Sequence, residues 1–264
     1  MKRNASILGC LFVVVGGCPT AVTVPFPSRL VDGLNVLSDE NRERLINRVG
    51  EPAIIDVGDS IRGIITMNIL TNANGTALLG GTSGNPEVTA IFQLLVLEKT
   101  ETALAGTFDF TFGPDPAFAA EFGVPAGTII RAYVDESNNA ALDAGTLAAS
   151  EARAIDGELF IDLGFTGPDG APGAGEGWLA RGADNGGLPI NPGEVVGTAN
   201  FAISRTSEQG AGADLSFSPQ SSLFFGQGAE FIGGSAARGT TGLNTPWSFS
   251  SDTTITFVLA GGSS

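Results

Sequence analysis

The residues best suited to chemistry are carboxylates and amides gathered in one short segment. Asp135-Glu136-Ser137-Asn138-Asn139 is followed closely by Asp143. Hard cations take roughly six to eight oxygens from groups of these types. Asp135, Glu136, Asn138, Asn139 and Asp143 are therefore the candidate calcium ligands, and calcium is the one cofactor the residues suggest. The spacing is not that of an EF-hand, because Ala140 stands where that loop needs glycine and Thr146 where it needs a bidentate glutamate. The plainer reading is an acidic turn after a strand.

Two carboxylate pairs, Glu98 with Asp109 and Glu158 with Asp162, offer the two-acid layout of a glycosidase. That chemistry needs carboxyls about 5 or 6.5–9.5 Å apart with one pKa raised. On a strand Glu158 and Asp162 share a face, which reads more simply as the solvated side opposite Leu159, Ile161 and Leu163. Trp178, Trp247 and Tyr133 offer rings on which a sugar could stack, although core or loop-anchoring use is the plainer reading of three scattered aromatics. Gly226-Gln227-Gly228 and Gly233-Gly234 lack the lysine and helix of a phosphate cradle and are assigned to turns. No residue is assigned a catalytic role.

Composition narrows the classes further. The chain has no histidine, which removes imidazole-based triads, most zinc sites and the commonest general base. It carries 28 acids against 13 bases, a net charge of −15. Such a surface repels nucleic acid and anionic headgroups, and no basic stripe offsets it. Acidity is read first as solubility.

The N-terminus has the layout of an export signal. Met1-Lys2-Arg3-Asn4 precedes the apolar residues Ile7, Leu8 and Leu11 to Val15, then Gly16, Gly17 and Cys18. The apolar run is shorter than the roughly 20 residues that span a bilayer. Val15-Gly16-Gly17-Cys18 resembles a bacterial lipobox, with Cys18 as the lipidated residue, although Pro19 departs from it. Residues 1–18 are expected to be a signal peptide or lipoprotein leader, and any membrane contact to run through that lipid alone. Cys10 and Cys18 both lie there, so the domain beyond holds no disulfide and must rest on its core.

The elements that must position these groups are mostly strands. Residues 19–50 read as an extended lead-in and a short helix, with Ser38 as N-cap, Asp39 and Glu40 in its first turn, and Leu45 and Ile46 inward. Ile61–Leu70, Val88–Leu97, Leu104–Phe112, Ile129–Val134 and Thr253–Leu259 have strand character, Phe108, Phe110 and Phe112 facing inward. Asp115 caps a second short helix that starts at Pro116 and stops at Gly123. Asp156-Gly157 predicts a hairpin between Arg153–Ile155 and Glu158–Ile161. Residues 164–193 form a long Gly/Pro-rich loop, and Val195–Ser204 leads the strands that follow. These add up to a single all-β domain over 51–264. It is expected as a jelly-roll-like sandwich of roughly ten short antiparallel strands with one or two short helices.

Val57-Gly58-Asp59-Ser60-Ile61-Arg62-Gly63, Phe112-Gly113-Pro114 leading into Ala119–Thr128, and Asp156–Ile161 before Leu163-Gly164-Phe165 resemble poorly characterised exported domains of environmental bacteria. Some of those carry a PEP-CTERM tail and are associated with extracellular matrix or flocculation. The resemblance covers about 54–180. The last residues here, Val258 to Ser264, lack Pro-Glu-Pro and trailing arginines, so sorting by that tail is not implied. The expected role is an exported, non-enzymatic structural or adhesive protein of the cell surface or extracellular matrix, with polysaccharide or other surface proteins as partners. The alternatives are a carbohydrate- or calcium-dependent binding module and a carboxylate-pair hydrolase.

Overall fold

Inward and outward side chains alternate along this chain over runs longer than short sandwich strands would need. In β1 (Gly33–Ile46) every second residue from Asn35 to Glu43 is buried, the signature of one face turned to an interior. The computed structural model describes residues 30, 32–46, 48–49, 54–75, 77–80, 86–135, 139, 145–166, 178–182, 195–222, 226–239 and 249–260.

After β1 come β2 (Ser60–Asn72), β3 (Ala77–Gly80), β4 (Glu87–Glu101), β5 (Phe108–Pro114), α1 (Pro116–Phe122), β6 (Thr128–Asp135), α2 (Leu147–Ala154) and β7 (Glu158–Phe165). β8 (Trp178–Gly182), β9 (Val195–Arg205), β10 (Gln220–Ser222), β11 (Gly226–Ala229), β12 (Phe231–Gly239) and β13 (Phe249–Leu259) complete the order.

The expected sandwich is corrected. The chain is mostly β, but eight antiparallel strands close on themselves in the circuit β1–β2–β4–β6–β7–β9–β12–β13 and back to β1. Closure removes the free edges that a sandwich leaves. An eight-stranded barrel has an interior just wide enough for packed side chains or one small ligand.

The wall forks. β4 pairs with β6 up to Phe92 and with β5 from Leu94 onward. β9 pairs with β7 near Ile203 and with β8 from Gly197 to Phe201. Since β5 and β8 pair with each other, the gap between β4 and β9 is closed by β6–β7 at one end and by a β5–β8 panel at the other.

Aliphatic and phenylalanine side chains fill the barrel, among them Leu37, Ile65, Leu70, Phe92, Phe110, Phe112, Phe201 and Phe257. A bulge at Asn68 keeps this pattern in phase: Met67 and Leu70 pack with the core, while Ile69 is exposed. Phe217, Phe231 and Phe257 cluster at one end in tilted and edge-to-face contacts, with ring centroids 4.7 to 5.9 Å apart. Gly233, read above as part of a turn, lies inside β12, where a Cβ would meet the Phe201 ring at 2.6 Å. Gly226-Gln227-Gly228 likewise belongs to a strand, β11.

Three further local expectations change. The 38–46 stretch is strand, because its period-two burial against β2 and β13 outweighs the capping residues at Ser38 to Glu40. Arg153 and Ala154 end α2, which is capped by Thr146 accepting from the Ala149 amide, so strand character begins only at Glu158. The 164–193 loop contains the end of β7 and all of β8. The α1 helix forms as expected: the Asp115 carboxylate accepts from the Ala117 amide and Gly123 closes the helix at φ 64°.

Both helices lie on the outside of the wall. Phe118 and Ala154 cover Ile64, Ile91 and Tyr133 there.

Candidate functional site

The barrel interior is apolar at both ends and polar between them. On β1 the buried positions run Leu37, Asp39, Asn41, Glu43, and on β13 they run Ile255, Thr253, Ser251. Asn41 is the fork of a hydrogen-bonded ladder between the two strands. Its Nδ2 donates to Thr253 Oγ1 at 2.7 Å and to Ser251 Oγ at 3.0 Å. The Ser251 hydroxyl in turn donates to Glu43 Oε1. Each hydroxyl accepts one bond from Asn41, and the Ser251 proton is committed to Glu43.

The ladder leaves acceptors over. Among the described residues, Glu43 Oε2, Asn41 Oδ1 and both Asp39 carboxyl oxygens are buried without a protein donor in hydrogen-bond geometry. Each such group costs about 1–3 kcal/mol when left unsatisfied.

The electrostatics follow. Burial pushes the Asp39 carboxyl up to about 8; the nearby Thr253 hydroxyl and amide temper the rise, and the charges of Glu43 and Asp252 add to it. Burial likewise raises Glu43 to about 7, against the pull of Ser251 and the Arg42 charge. Arg42 itself turns to the other face of β1 and pairs with Glu40 at 2.8 Å.

Glu43 opens onto a cavity of about 110 Å³. Its walls are Ile61, Phe92, Leu94, Phe110, Phe112 and Ala199, with Thr198 and Ser235 as minor polar members. Arg181 of β8 lies at its rim, 65% exposed, and holds Asp109 through two bonds of 2.5 and 2.8 Å. A smaller space of about 50 Å³ occupies the other end of the barrel, between Leu37, Leu70, Phe160, Phe217 and Phe257.

A second polar network lies outside the wall, beneath the helices. Arg62 bonds Glu121 at 2.7 and 2.8 Å, Glu151 at 3.0 and 3.1 Å and Gln93 at 2.9 Å. Gln93 and Ser60 donate to Asp115, which also holds Arg48 at 2.8 Å. Burial alone would raise Asp115, but these donors and the Ala117 amide hold it below the usual carboxylate range. Arg44 adds a contact to Glu151 at 3.4 Å, so three cations face three carboxylates and the network fastens α1 and α2 to β2 and β4.

The residues singled out from sequence fall elsewhere. Asn139 donates its amide to Glu87 at 3.0 Å and its side chain to Asp156 at 3.1 Å. Asp135 ends β6, while Glu136, Asn138, Asp143 and Cys18 lie outside the described residues. Among the described residues no group of three or more acidic, histidine or cysteine side chains could hold a metal.

Glu98 and Asp109 lie on the paired strands β4 and β5, but Asp109 is taken by Arg181. Glu158 is exposed whereas Asp162 is fully buried, bonded by Ser207 at 2.9 Å and facing Arg131 at 3.4 Å. These two are therefore not a solvated pair. Tyr133 packs under the helices, and Trp247 lies outside the described residues. The interior carboxyls of β1, Asp39 and Glu43, were missed; their i, i+4 spacing with Asn41 between them is the signal a strand reading would have used.

No protein-family model matches the chain, and no curated protein matches it. One solved structure that it resembles is described as a nonspecific heme-binding cyclase catalysing a 4 + 2 cycloaddition during neoabyssomicin biosynthesis. The similarity covers 89% of this chain and 72% of that one at 10% identity, with a TM-score of 0.28. That similarity is too slight to bear on the fold or function of this chain.

Proposed function

We propose that the barrel is a binding protein for a small, largely apolar molecule, held in the phenylalanine-lined cavity and oriented by the Glu43 carboxyl. One observation carries this reading: Glu43, a buried carboxyl with one oxygen that lacks a protein donor, is among the residues lining a largely apolar cavity of about 110 Å³. Stability alone does not favour such a group, since an apolar residue in its place would avoid the desolvation. Perturbed acids in cavities are characteristic of functional sites. A comparable cavity of about 150 Å³ takes benzene, so the body of the ligand is compact, on the order of four to six carbons.

The proposal includes export, to which the basic and apolar N-terminal residues point; a carrier outside the cytoplasm fits an acidic, disulfide-free barrel. The competing reading, an adhesive or structural role at the cell surface, makes no use of the cavity. Calcium at residues 135–143 stays a separate proposal, decided by whether millimolar calcium shifts the melting temperature.

Titration with isobutanol and benzene, followed by calorimetry and thermal melting, tests the main reading. Saturable binding is expected, and Ala199→Leu or Ala237→Val, which fill the cavity, should abolish it. Absence of saturable binding, or binding indifferent to both substitutions, would overturn it.

A further inference from the structure

Resting on that reading, we infer that the molecule held in the cavity is an amine, its ammonium on Glu43 Oε2 and its apolar body among Phe92, Phe110 and Phe112. Glu43 is more than nine-tenths buried, lines the cavity, and keeps one oxygen without a donor after Ser251 has taken the other. A ligand that only accepts hydrogen bonds, such as a ketone, leaves that oxygen as it was. A carboxylate or phosphate sets like charges against each other in a medium of low dielectric. A donor satisfies it, and a cationic donor does so with the stronger, charge-assisted bond.

The cations near Glu43 leave that oxygen open. Arg42, whose charge favours an ionised Glu43 against the opposing charge of Asp252, faces the other side of β1 with Glu40, and Arg181 at the rim is held by Asp109 and largely in water. Neither gives Glu43 Oε2 a donor. The aromatic walls add to this, because the faces of phenylalanine rings attract a desolvated cation.

Three ligands with one body separate the possibilities: isobutylamine, isobutanol and isobutyrate, titrated calorimetrically at pH 8 into the full-length protein and into Glu43→Gln. The expected order is amine at least tenfold tighter than alcohol, with no detectable isobutyrate binding. Glu43→Gln should bring the amine down to the level of the alcohol. Should the alcohol bind as tightly as the amine, or isobutyrate bind best, the amine assignment falls while the cavity reading stands. Should none of the three bind, both fall. The order measured in the unsubstituted protein decides even if Glu43→Gln does not fold.

Discussion

Asn41 reaches across the β1–β13 seam to Thr253 at 2.7 Å, and its second amide proton goes to Ser251 at 3.0 Å. One side chain thereby fixes two hydroxyls, and through Ser251 it fixes the carboxyl that faces the cavity. Asn41→Leu keeps the branched heavy-atom skeleton but removes both donors. A loss of about 1–3 kcal/mol of stability is expected in urea unfolding. Loss of Glu43-dependent ligand selectivity should accompany it, because the Ser251 proton is then free to rotate.

The raised pKa values make stability fall with rising pH. Asp39 moves from 3.8 to about 8 and Glu43 from 4.5 to about 7 on folding. Between those limits the folded state binds more protons than the unfolded one. Their contribution is complete below about pH 4, declines as pH rises through 7 and 8, and is then gone. Asp115, held low, works in the opposite sense and loses stability only in stronger acid. Thermal melting should therefore peak on the acidic side and drop toward pH 9, by on the order of a few kcal/mol. Asp39→Asn with Glu43→Gln should flatten that drop; an unchanged profile would contradict the buried placement of the pair.

Arg62 is buried among two glutamates and a glutamine, so Arg62→Met leaves Gln93 Oε1 without its donor and Glu151 with only the longer Arg44 contact at 3.4 Å. Removing one side of a buried ion pair costs roughly 3–5 kcal/mol. Glu121→Gln, at a side chain 49% exposed, should cost under about 1 kcal/mol. Urea unfolding of both variants reads the contrast.

Gly63 lies where the Phe92 ring crosses β2, and a Cβ there would meet that ring at 2.6 Å and the Arg42 carbonyl at 2.7 Å. Gly63→Ala should destabilise by about 1–3 kcal/mol through overpacking. It should also push Phe92 into the cavity and weaken isobutanol binding.

Strand-forming stretches such as Ile61–Leu70 and Thr253–Leu259 were legible because their apolar residues sit in tertiary places that agree with local preference. α1 was legible because Asp115, Pro116 and Gly123 each do a local job. Barrel closure was not, since it depends on which strand β2 meets on its far edge, and no local residue states that. The site was hidden for a related reason. Asp39, Asn41 and Glu43 are polar residues turned inward, so hydrophobic periodicity ran against the true face, and Ser38-Asp39-Glu40 imitates a helix start. α2 was missed because Asp156-Gly157 imitates a hairpin turn where the chain leaves a helix. Asp162 misled because its burial depends on Ser207 and Arg131, which come from other elements.

The forked wall separates two kinds of opening. Hydrogen bonds of β6–β7 hold the eight-strand circuit, whereas those of β5–β8 hold only the panel beside the cavity. Breaking the second set leaves the first complete. Opening of that panel and unfolding of the molecule as a whole are therefore distinct thermodynamic events, although the first uncovers Phe110 and Phe112 of the shared core.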